Sequence, residues 1–208
     1  ESLNPQASVP ARNPNIPVEI SYPVIRDKEE FNKRMVEVRL NQKVSEEVLR
    51  EIALEVKAQE TRQYERTFIS VFLPEVVYGV KSATPWATTH FNPTLEIKIL
   101  GLSLDDEDKF KSRPITRGDE LIGCWLMDLI EGYRVTIYRE GSIYKLENDY
   151  GSSEPYIMDI VEVAAPADRR RFRPAGGGGD QYEVDQQGNL RLYNSREELF
   201  YAAKPLQN

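Results

Sequence analysis

Residues 66–102 read RTFISVFLPEVVYGVKSATPWATTHFNPTLEIKILGL, and the spacing at the two ends of this stretch decides the fold class. Between 67 and 73, Phe68, Ser70 and Phe72 alternate with Ile69, Val71 and Leu73. A strand with large or β-branched residues on both faces suits the middle of a covered sheet. Leu95, Ile97 and Ile99 alternate with Glu96 and Lys98, the pattern of a strand with one wet face. Between them, residues 85–93 (PWATTHFNP) read as a long hairpin loop folded over its own sheet. This loop carries the only histidine, His90, and one of the two tryptophans, Trp86, as its plug.

Upstream, the clearest helix opens at Ser45, an N-cap followed by Glu46 and Glu47 at the positive end of the helix dipole. Val44 and Leu49 are spaced as a hydrophobic staple. Val48, Leu49, Ile52, Ala53 and Val56 fall on one stripe. Each large aliphatic buried there is worth about 1.5–3 kcal/mol, several times any propensity difference, so the stripe decides where the helix docks. It needs a sheet to cover. Residues 18–22 and 36–40 alternate as strands, and Asp27 with Glu30 resembles a capping box opening a short helix to about Lys33. The segment 18–103 therefore predicts a strand–helix–strand–strand two-layer α+β domain.

Residues 1–17, with four prolines and three asparagines, read as an extended arm or tether. Residues 104–117 (LDDEDKFKSRPITR) are charged and unpatterned, and predict a solvated linker at the domain boundary. Asp105, Asp106 and Asp108 lack the glycine and closing glutamate of a calcium loop, so no metal is expected there. From 118 to 208 the texture changes to short strands at 120–127, 133–139, 142–148, 156–163, 181–184, 189–193 and 199–203, separated by glycine turns. That predicts an all-β antiparallel meander, closed as a small barrel or folded as a sandwich.

The totals narrow the chemistry. Hydrophobic residues at 40% and aromatics at 10% supply packed cores. A formal charge of −7 argues against general affinity for nucleic acid, and no run is long and apolar enough for a membrane helix. One cysteine, Cys124, precludes an internal disulfide and a multi-thiolate metal site, and its apolar setting predicts a buried structural thiol. His90 alone cannot build a zinc site. Tyr78, Trp86, Thr88, Thr89, His90, Phe91 and Asn92 form the candidate binding group, since aromatic faces with short polar side chains suit recognition of a protein or small molecule. Gly176–Gly179 lacks the lysine or helix of a phosphate loop. The cluster around Arg169, Arg170, Arg171 and Arg173 predicts a charged guard on an edge strand. No cofactor and no catalytic residue is assigned.

Two stretches carry resemblances. VEVRLNQKVSEEVLREIALEVK, YERTFISVFLP and PWATTHFNP resemble segments of uncharacterised bacterial exported proteins, across about residues 36–101. IGCW, VTIYREGSIYKLENDYGSS and QYEVDQQGNLRLYNS are similar in texture to small lipocalin-like β-barrels, although the region is shorter than a true lipocalin. Neither resemblance brings an activity or a functional residue. The chain starts at Glu1 rather than methionine, so an upstream segment is expected to have been removed, either by a signal peptidase or by deliberate truncation of the sequence. The expectation is a non-enzymatic exported protein acting in binding or at the cell envelope. The alternatives are a hydrolase using carboxylates or the His90 region, and a lipid or small-ligand carrier using the second domain.

Overall fold

The structure, a computed structural model, describes residues 13–80, 83–115 and 118–206. It is α+β: a five-stranded mixed sheet covered by one helix, then an eight-stranded antiparallel barrel that is nearly closed.

The first sheet has the order β1 (Val24–Glu30), β2 (Lys33–Arg39), β3 (Arg66–Phe72), β4 (Ala87–Phe91), β5 (Leu95–Ile99). Helix α1 (Glu46–Ala58) crosses from β2 to β3, which therefore run parallel; the other pairs are antiparallel. The Ser45 hydroxyl accepts from the Val48 amide at 3.4 Å, as its position before the apolar stripe predicts. Leu49, Ile52, Ala53 and Val56 bury against Val36, Val38, Ile69 and Val71.

Several elements differ from the sequence expectation. Residues 27–33 are not helical. Phe31 and Asn32, with φ of 47° and 62°, make a two-residue hairpin turn of the kind that matches strand twist. The Asp27 carboxylate does not cap a helix; it binds the Arg34 guanidinium across that hairpin at 2.7 Å. Residues 18–22 form a turn rather than a strand, and Ile20 plugs the core. Residues 1–12 of the expected arm lie outside the described residues. Its last five lie along α1: Ile16 is buried, and the Asn13 side chain donates to Glu51 at 2.8 Å. The expected loop at 85–93 contains β4 itself, so the loop proper precedes Trp86. The charged stretch expected as a linker carries helix α2 (Leu104–Lys111), capped by Ser103, with Phe110 buried.

The barrel runs β6 (Glu120–Met127), β7 (Tyr133–Glu140), β8 (Ile143–Asp149), β9 (Tyr156–Val163), β10 (Arg169–Pro174), β11 (Gln181–Asp185), β12 (Leu190–Tyr193) and β13 (Leu199–Ala203), each paired to the next. The meander and its turns follow the sequence pattern, with one strand more than expected. That strand is β10, and it lies between β9 and β11, so the arginine run is an interior strand and not an edge guard. Trp125, Ile137, Leu146, Phe172, Leu190 and Tyr201 are fully buried inside the barrel.

The barrel's remaining gap is covered from the first half. Val76 bridges to Tyr201, the Ala202 amide donates to the Glu75 carbonyl at 2.9 Å, and the Val77 amide donates to the Phe200 carbonyl at 3.1 Å. Beyond β13, the Leu206 amide donates to the Cys124 carbonyl of β6 at 2.7 Å. Phe72 and Val76 pack into the barrel-side core.

Candidate functional site

Alternation along β4 divides the seven candidate residues. Ala87, Thr89 and Phe91 face α1 and are buried; Thr88 and His90 face the opposite side of the sheet and are half-buried. Trp86 is fully buried, and its indole N–H donates to the Leu102 carbonyl at 2.9 Å. The Thr89 hydroxyl is buried without a hydrogen-bond partner, and the Lys57 ammonium lies 4.2 Å from the centre of the Phe91 ring. Asn92 stands at the β4–β5 turn. Tyr78 reaches the open side, where its hydroxyl donates to Glu37 at 2.5 Å. The group therefore does not converge.

On that open side, cross-strand registry aligns Met35, Phe68, His90 and Glu96. The His90 ring packs edge-on against Phe68, 4.8 Å between centroids. Partial burial holds its pKa below the ordinary histidine value, against the pull of Glu96. The imidazole is thus neutral near pH 7 and packed against an aromatic ring.

A better-formed concavity lies where the two halves meet. It is a cleft of about 500 Å³, within the roughly 300–1,000 Å³ common for small-ligand sites at domain interfaces. The β2–α1 connection supplies Asn41, Gln42 and Lys43; the segment after β3 supplies Leu73 and Glu75; α2 supplies Leu104, Glu107 and Lys111. The barrel adds Leu126, Asp128, Tyr201 and Ala203, with Lys204, Pro205 and Leu206 beyond.

At its floor Lys43, only 10% exposed, is shared by Asp128 at 2.6 Å and Glu107 at 2.5 Å. Lys111 also pairs with Glu107, one turn along α2. Asp128 is fixed from three sides, because its carboxylate also accepts from the Leu102 amide at 3.3 Å and its own amide donates to the Tyr201 hydroxyl at 2.9 Å. Burial pushes the Asp128 carboxyl upward against the pull of Lys43. Burial acts the same way on Glu107, but hydrogen bonds from Lys111 and Lys43 outweigh it and hold that group low. Burial lifts the Tyr201 hydroxyl well above the usual phenol range. The result is a preorganised floor of alternating charge under apolar walls.

Sequence reasoning missed this cleft, because its residues come from five separate segments. One signal was present. Asp128 ends the apolar run of β6, where a lone carboxylate demands a buried partner. Cys124 is buried as expected, and burial raises its thiol pKa. Gly177, Gly178 and Gly179 adopt positive φ in the β10–β11 turn, a conformation that favours glycine. No helix among the described residues is long and apolar enough to cross a membrane. No family model, curated protein or solved structure matches the chain.

Proposed function

We propose that this is a non-enzymatic, exported binding protein and that the cleft between its halves holds a small zwitterion the size of an amino acid or dipeptide. The observation that carries the reading is the Lys43–Asp128–Glu107 floor, which offers both signs of charge beneath Leu73, Leu104 and Leu126. Charged groups already held by partners reorganise little when a ligand arrives, which favours binding. Lys204 and Glu75 at the margin supply further charges of each sign. The location rests on the resemblance, read from the sequence alone, of residues 36–101 to segments of bacterial exported proteins.

The competing functions draw less support. A hydrolase built on His90 needs that ring beside a nucleophile, whereas it packs on Phe68. A carrier needs space in the barrel, whose interior is filled by Trp125, Ile137 and Leu146. The test is heteronuclear NMR of labelled protein titrated with free amino acids and dipeptides. Shifts should concentrate at Asn41, Gln42, Leu126 and Lys204, and Leu126→Trp should abolish them by filling the cleft. Shifts elsewhere, or none, would reject the reading.

A further inference from the structure

The two edges of the first sheet are built differently. At β1 the strand carries an irregularity between Val24 and Arg26, and its exposed run Arg26–Glu30 is charged. Those features blunt an edge against pairing. At β5 the pairing with β4 is regular, and no strand among the described residues lies on its other side. The Leu100 amide donates to the Trp86 carbonyl at 2.7 Å, and the Asn92 amide donates to the Thr94 carbonyl at 3.0 Å. Antiparallel pairing alternates, so the even-numbered residues of β5 turn their backbone groups toward β4. Leu95, Ile97 and Ile99 turn theirs outward.

We propose that β5 pairs antiparallel with β5 of a second copy of this chain, about a two-fold axis through Ile97. The sequence of the strand is self-complementary about that residue. Leu95 comes opposite Ile99 of the second copy, and Ile97 opposite Ile97. Glu96 comes opposite Lys98 of the second copy, twice over by symmetry. The outward backbone groups of all three apolar residues are satisfied in this register and in no other that keeps the charges matched. Glu96 and Lys98 are exposed and, among the described residues, form no salt bridge within the chain. The half-buried Leu95, Ile97 and Ile99 would form a continuous apolar strip beneath the two copies of α1. An isologous contact of this kind closes on itself as a dimer and leaves the guarded β1 edges outermost.

Sedimentation equilibrium over a concentration series tests this. The unmodified protein should show a monomer–dimer equilibrium. Glu96→Lys and Lys98→Glu should each weaken it at least about tenfold, because two attractive cross-strand pairs become repulsive. The double variant Glu96→Lys/Lys98→Glu should restore it, since every lysine again faces a glutamate. Ile97→Pro removes an outward donor while sparing the bonds to β4, and should abolish the dimer. A protein that stays monomeric, a dimer indifferent to the single reversals, or a double variant weaker than either single one would overturn the proposal.

Discussion

Thr89 shows how one position can mislead a sequence reading. Beside His90 it looks like part of a polar recognition group, yet alternation turns its side chain under α1, where the hydroxyl is buried and unpartnered. Replacing it by the similarly shaped valine removes the desolvated hydroxyl, so Thr89→Val should stabilise the protein by about 1 kcal/mol in urea denaturation. Glu183 is the opposite case. Its side chain is fully buried and receives Arg171 at 2.6 Å, Arg169 at 2.8 Å and the Tyr193 hydroxyl at 3.1 Å. Burial alone would raise its pKa, but these partners outweigh it and hold the carboxyl below the usual range. Its contribution is therefore present above the unfolded value near pH ~4.3 and is lost as pH falls through the folded one. Glu183→Gln should be less stable than the unmodified protein at neutral pH, and the gap should begin to narrow as pH falls below about 4.3. Residues 169–173 looked like a solvated run because a local reading does not show that β11 brings a carboxylate between the arginines.

At the scale of elements, legibility followed apolar spacing. Helix α1 could be read because its cap, acidic first turn and stripe all agree; Ser45→Ala should cost about 1 kcal/mol by thermal or chemical unfolding. Most barrel strands could be read for the same reason. Helix α2 could not, because a single buried residue, Phe110, fastens it to the fold. Strand β10 was hidden by its arginines, and the β1–β2 hairpin by a Phe–Asn turn without glycine. The junction between β5 and α2 depends on Gly101, where a Cβ would come 2.8 Å from the Trp86 ring and 2.9 Å from the Asp128 carbonyl. Gly101→Ala should destabilise by about 1–3 kcal/mol, as overpacking does, and it should perturb the cleft floor through Asp128.

For the whole molecule, the sequence partition into an α+β half and an all-β half corresponds to two separate sheets. What spacing could not reveal is how firmly the halves are joined. Lys43 links a connection in the first half to Asp128 in the second, so Lys43→Met leaves a buried carboxylate without its cation. That should cost about 3–5 kcal/mol, and calorimetry should resolve one transition into two.

Residues 75–77 lend the barrel the neighbour that β13 would otherwise lack. A fragment limited to residues 118–208 would therefore leave a bare ladder of donors and acceptors, and should form polymers detectable by light scattering. A synthetic peptide spanning residues 72–80, added in trans, should hold it in solution. The barrel is thus completed by complementation from the chain that precedes it.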